Sequence, residues 1–166
     1  MLVSEAWIEG FYEGGYEVEF DGFDRRESEG ECEGGQRRQT HLKRGERNKE
    51  LGRRGEEAVA RYLSHIGYEI IERNWSCPVG EADIIARTES ALVFVEVKTR
   101  TDINKGFPAE AVTPEKRDRY ERIALWYLKD CDELDVSVRF DVVAVMVLGE
   151  DRAMLKHYVN AFGWER

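Results

Sequence analysis

Two stretches decide the fold: Glu81-Ala82-Asp83-Ile84-Ile85-Ala86-Arg87 and Ala91-Leu92-Val93-Phe94-Val95-Glu96-Val97-Lys98-Thr99. Both are rich in β-branched and aromatic residues and are separated by a short polar break, the pattern of a β-hairpin. Side chains alternate faces along a strand. Ala82, Ile84 and Ala86 are therefore expected on one face, as are Val93, Val95 and Val97 on the next strand. Both sets are wholly apolar and suit burial under a helix. The opposite faces carry Glu81, Asp83 and Ile85 on one strand and Leu92, Phe94, Glu96 and Lys98 on its neighbour. Centring the turn on Glu89-Ser90 pairs Ile85 with Phe94, Asp83 with Glu96 and Glu81 with Lys98. An odd-length loop would send Asp83 to the apolar side. Burial thus selects the register that gathers three carboxylates and one lysine.

Working outward, Leu51, Gly55, Ala58, Val59, Tyr62, Leu63 and Ile66 fall at helical spacing, with Gly67 placed as a C′ stop. Tyr68 to Asn74 reads as a strand that breaks at Ser76-Cys77-Pro78. Beyond the hairpin, Thr113-Pro114 reads as an N-cap followed by proline at the first helical position. That helix carries Tyr120, Ile123, Ala124, Tyr127 and Leu128 on one side. Phe140 to Leu148 is nearly all apolar, as expected of a strand covered on both faces. The order helix, three strands, helix, strand predicts an α/β sandwich on a mixed sheet flanked by helices.

The 166 residues suffice for one domain with a real core. The longest purely apolar run, Val142 to Leu148, is seven residues, too short to span a bilayer. The N-terminus turns acidic at once, unlike a secretory signal. Cys32, Cys77 and Cys131 lie 45 and 54 residues apart, which argues against a disulfide framework or zinc finger and for a reducing, cytoplasmic setting. The net charge of −9 is unevenly spread. Residues 1–35 hold eleven acids, two arginines and seven of the fifteen glycines; residues 36–50 are basic at +4; residues 51–166 sum to −4. Low global pI normally argues against nucleic-acid binding, but here the acidity belongs to one segment. Residues 1–48 are read as an appendage, mostly disordered, with a small hairpin at Phe11–Phe20 about Gly14-Gly15. Residues 49–166 are the α/β domain.

The constellation Glu81, Asp83, Glu96 and Lys98 looks like chemistry. Opposed like charges destabilise a sheet, and half-buried carboxylates cost more unless compensated. A divalent cation would compensate them, and carboxylate oxygens suit magnesium. Lys98 could orient or deprotonate an attacking water, so metal plus lysine is an apparatus for phosphodiester hydrolysis. The plainer alternative is a cross-strand ion pair of Glu81 with Lys98 and a solvated Asp83.

The E-x-D…E-x-K arrangement resembles the active-site core of the PD-(D/E)XK nuclease superfamily. More closely, residues 51–147 resemble the YraN family, the UPF0102 type. The matching strings are Gly52-Arg53-Arg54-Gly55-Glu56, Gly67-Tyr68, Arg73-Asn74-Trp75, Gly80 to Ala86, Leu92 to Arg100, Glu110 to Lys116 and Arg139-Phe140-Asp141-Val142-Val143. The resemblance implies a restriction-endonuclease-like αβββαβ core. It implies that Asp83 and Glu96 ligate Mg2+ or Mn2+, with the Val97 carbonyl as a further ligand and Lys98 as catalytic base or stabiliser. Glu56 corresponds to a first-helix acid that enters the metal shell; read alone, it is equally an exposed helical acid. Ser76-Cys77-Pro78-Val79 is neutral where the family carries more basic residues.

Arg100, Lys105, Lys116, Arg117, Arg119 and Arg122 are candidates for phosphate contacts, with Lys116, Arg100 and Arg117 preferred; each can equally solvate a helix face. Trp75 and Trp126 are expected to pack rather than stack on bases. His41, His65 and His157 share no ligand spacing, and Cys77 has no base beside it. Asp141 is expected to pair with Arg139 or near Arg73, with no catalytic role. The leading expectation is a metal-dependent endonuclease on DNA, with branched or damaged structures in recombination or repair as substrates and a homodimer for junction cutting. The alternatives are a nucleic-acid-binding module with little or no activity, and an interaction protein whose acidic tail mimics nucleic acid.

Overall fold

The computed structural model describes residues 15–19, 44–101, 113–131, 137–149 and 151–162. In chain order these form β1 (Gly15–Glu19), α1 (Arg44–His65), β2 (Glu69–Cys77), β3 (Gly80–Arg87), β4 (Leu92–Arg100), α2 (Pro114–Leu128), β5 (Val138–Val147) and β6 (Arg152–Phe162). The six strands make one mixed sheet in the order β1-β6-β5-β4-β3-β2. All neighbours are antiparallel except β4 and β5, which run parallel across the α2 crossover. The helices cover opposite faces. Val59 and Leu63 of α1 lie in one buried cluster with Ile84, Val93, Val95 and Val143. Tyr120, Ile123 and Ala124 of α2 lie in the other with Ile85, Phe94 and Phe140. No helix among the described residues is long and apolar enough to cross a membrane.

The central elements follow the sequence expectation. Thr88 N–H donates to the Ala91 carbonyl at 2.9 Å, and Ala91 N–H to Thr88 Oγ1 at 3.1 Å. This closes the hairpin about Glu89-Ser90 and pairs Ile85 with Phe94. Helix α1 ends where Tyr68 N–H donates to the Leu63 carbonyl and Gly67 N–H to that of Ser64, a Schellman closure. Thr113 precedes Pro114 at the start of α2, its carbonyl accepting from Lys116 and Arg117 N–H. β5 is buried from Phe140 to Met146.

Four features depart from the expectation. Helix α1 begins at Arg44, since the basic run before Leu51 continues the helix without an apolar stripe. β6 was not expected: Ala153 and Leu155 are buried, but Met154, Lys156, His157 and Tyr158 blur the alternation. Within the Phe11–Phe20 segment the described residues form β1, which pairs with β6 through Tyr16–Leu155 and Val18–Ala153; Gly14 lies outside the described residues.

The fourth departure is local and consequential. Ala82 does not share a face with Ile84 and Ala86, for it packs in the α2-side cluster while they pack under α1. The same inversion occurs across the ladder. Arg73, opposite Ile84, bonds Glu57 of α1 at 2.9 Å, whereas Trp75, opposite Ala82, packs edge-on to Tyr127 of α2. Between Arg73 and Trp75 stands Asn74 at φ 52°, and between Ile84 and Ala82 stands Asp83. A left-handed residue breaks the period-two rule, and the two strands turn over together at this step.

Candidate functional site

Asp83 sits where β3 inverts, and the regular β3–β4 pairing is recorded from Arg87–Leu92 only as far as Ile84–Val95. Past that point the aspartate takes over the backbone's part: Asp83 Oδ2 accepts from Val97 N–H at 2.7 Å. Asp83 and Glu96 line one cleft of about 640 Å3, with Glu81, Arg119 and the turn Ser76-Cys77-Pro78-Val79-Gly80. Burial is the main force on the Asp83 carboxyl, pushing it up to about 7 against the Val97 hydrogen bond; the charges of Glu96, Glu56 and Glu81 raise it further.

Glu96 is treated differently. Its Oε1 accepts from Lys116 Nζ and its Oε2 from the Tyr120 hydroxyl. Both donors come from α2, one turn apart, so the helix holds the carboxylate from one side. Burial, then the charges of Glu96 and Asp83, hold the Tyr120 hydroxyl well above its ordinary value, so it stays a donor.

Glu56 and Val97 line a second cleft of about 580 Å3, on the α1 side, with Asn48, Leu51, Gly52, Thr99, Arg100 and Thr101. Gly55 sets that distance. A Cβ there would come within 1.8 Å of Thr99 Oγ1, so only glycine lets α1 lie this close to β4. Asp83 and Glu96 thus share one cleft, while Glu56 stands across β4 and reaches Asp83 through its charge.

Of the remaining sequence candidates, Lys98 lies on β4 opposite Ala144 of β5 and is not among the residues lining either cleft. Lys116, expected at phosphate, is bonded to Glu96. Arg100 lines the α1-side cleft, Arg117 is half-buried on α2, and Arg122 pairs with Asp118 at 3.6 Å. Lys105 and His41 lie outside the described residues. Cys77 lines the Asp83 cleft as a free thiol, and Trp75 packs on Tyr127. The sequence reading places Tyr120 only in the core. Its i+4 spacing from Lys116, on a helix following an E-x-K strand, is the signal that would have found it.

A second aspartate, this one buried, lies at the start of β5. Asp141 is fully buried and accepts from Arg139 Nε and Nη2, each at 2.9 Å, from His157 Nε2 at 3.0 Å and from Asn160 N–H at 2.8 Å. Arg139 also donates to the Tyr68 hydroxyl at 2.6 Å. Burial pushes the Asp141 carboxyl up, but the His157, Arg139 and Asn160 hydrogen bonds and the Arg139 charge overcome it and hold it below 3.8. The expected Arg139 pairing is present.

Asp83 and Glu96, with the Val97 carbonyl, are the residues suited to a hard divalent cation. Among the described residues no three His, Cys, Asp or Glu side chains gather into a metal cage. Magnesium asks for less, binding one or two carboxylates and keeping several waters. A carboxyl crowded by three others, with its ionised form disfavoured, fits such an ion.

The model of the family described as "Uncharacterised protein family UPF0102" matches residues 55–145. The chain belongs to the UPF0102 family. It is 48% identical over 115 residues to the UPF0102 protein of Geobacter sulfurreducens, covering 69% of this chain and 90% of that one. It is 46% identical over 112 residues to that of Nocardia farcinica, covering 68% and 88%. Against that of Syntrophomonas wolfei it is 42% identical over 115 residues, covering 69% and 99%. The region matched by the UPF0102 model contains Glu56, Asp83, Glu96, Lys116 and Tyr120, hence the whole carboxylate site, while β1 and β6 lie outside it.

Proposed function

We propose that this UPF0102 chain is a divalent-metal-dependent nuclease with a restriction-endonuclease-like core, hydrolysing phosphodiester bonds in DNA. The observation that carries the reading is Asp83: a carboxyl in a cleft with Glu96, raised to about 7 by burial and neighbouring carboxylates. Natural folds compensate such charge, and a cation of the Mg2+ or Mn2+ type is the compensation that these oxygens suit. When bound, the metal would polarise the phosphate and activate water. Asp83 and Glu96 would hold it, with Val97 and Glu56 at its border. The Val97 N–H keeps Asp83 aimed, and Tyr120 keeps Glu96 aimed. Lys98, two residues past Glu96 on β4, would orient or deprotonate the attacking water. Branched or damaged DNA is the proposed substrate, for which two copies of the chain would cut two strands.

One observation favours a second reading, a nucleic-acid-binding module with little cleavage: Lys116 is ion-paired to Glu96, so a cation there would compete with the lysine. Calorimetric titration with magnesium and manganese, followed by cleavage assays on branched and single-stranded DNA, separates the two. Metal binding and cutting that both vanish in Asp83→Asn are the expected result. Salt-dependent DNA binding without metal-dependent cutting selects the binding module.

A further inference from the structure

Six cations flank the site in sequence, and the structure sorts them. Lys116 is tied to Glu96 and Arg122 pairs with Asp118. Arg100 lies in the other cleft, Arg117 is half-buried, and Lys105 is outside the described residues. Arg119 differs from them all. It lines the cleft of Glu81, Asp83 and Glu96, is exposed, and makes no ion pair among the described residues.

Its position is built rather than incidental. The guanidinium carbon lies 5.8 Å from the Tyr120 ring centroid, and the aliphatic stem crosses Gly80 at the β2–β3 turn. Gly80 has φ 154°, and a Cβ there would meet Ile123 Cδ1 at 3.1 Å and Arg119 Cδ at 3.5 Å. The stem thus packs in ordinary contact against the turn, while Ile123 is the side chain that the bare glycine accommodates. Holding an arginine beside three carboxylates without pairing it to any of them leaves a planar, permanently charged donor for an incoming anion.

We propose that Arg119 is the residue of this cleft that contacts a backbone phosphate of the substrate strand, delivering the phosphodiester to Asp83 and Glu96. The assignment rests on the nuclease reading and names the substrate contact within it. The guanidinium forms paired hydrogen bonds to two phosphate oxygens, and the contact is blind to base sequence.

The test measures binding of a fluorescein-labelled single-stranded DNA and its duplex by anisotropy over a series of salt concentrations, with EDTA to prevent cutting. Arg119→Ala should weaken binding by about 5- to 20-fold and lower the salt slope by about one phosphate contact. Arg119→Lys should restore the slope but only part of the affinity. Arg122→Ala should change neither, all three variants should melt as the wild type does, and Arg119→Ala should bind magnesium at least as tightly as the wild type, since a positive charge beside the carboxylates is removed. Wild-type affinity and slope in Arg119→Ala, while the wild type binds DNA, would overturn the assignment and leave the nuclease reading standing. Absence of salt-dependent binding by the wild type would overturn both.

Discussion

The sheet holds a buried and a half-buried aspartate on neighbouring stretches of backbone, and they live under opposite regimes. Asp141, on β5, pairs across the parallel ladder with Val95; Asp83, on β3, hangs from the N–H of Val97 two residues further along the same strand. Asp141 receives four hydrogen bonds, two from a guanidinium, and its carboxyl is held below its ordinary value. Asp83 accepts one hydrogen bond, from Val97 N–H, and burial together with the charges of Glu96, Glu56 and Glu81 raises it to about 7. A buried charge with its partners in place acts as structure. A buried charge without them is a cost the fold carries for something that binds.

Three measurements would break or sharpen this contrast. The largest effect belongs to Asp141→Ala, which strands Arg139 and His157 and should lower stability by about 3 kcal/mol in denaturant unfolding. The wild-type contribution is in place above 3.8 and is lost as pH falls through the lowered native value, so the gap between the two proteins should close in acid. An unchanged midpoint at neutral pH would mean that Asp141 is not the keystone of its cluster.

Asp83→Asn should move the other way. Ionising Asp83 in the fold costs more as pH rises from 3.8 to about 7, so without metal the variant should gain roughly 1–3 kcal/mol at pH 8 and little at pH 4. Destabilisation at pH 8 would show that the aspartate is a structural group after all. The smallest effect is that of Tyr68→Phe, which removes the acceptor for Arg139 Nη2 and should cost about 1 kcal/mol. A loss as large as that of Asp141→Ala would relocate the centre of the cluster to the tyrosine.

The contrast also explains what could be read beforehand. The hairpin register follows from burial parity, because a one-residue slip would put Asp83 among Ile84's neighbours and Val93 in the cleft; the Ile85–Phe94 pairing is the one expected. Apolar periodicity likewise located both helices and β5. The inversion at Asn74 and Asp83 is invisible to any periodic rule, since it is a single left-handed residue that reverses it, and so Ala82 was placed on the wrong face. β6 escaped because its outer half trades apolar side chains for polar ones such as His157, whose ring serves Asp141 rather than the core, as does the backbone N–H of Asn160. The direction of Lys116 depends on the rotation of α2 about its axis, which Tyr120 and Ile123 set by packing.

The outer strands of the sheet bear on how the protein behaves when crowded. At one border the outermost strand is β1, five residues long, which pairs with β6 from Arg152 to Lys156. At the other, β2 shows Ile71 to solvent, but a bulge between Ile70 and Glu72 and the left-handed Asn74 interrupt its line of donors and acceptors. A neighbouring molecule meets no straight run of backbone to zip onto at β2. Strand addition is therefore hindered at β2 by shape and at the opposite border by the shortness of β1, and shortening the chain from its N-terminus past Glu19 would lay bare Arg152 to Lys156 of β6 as a longer edge.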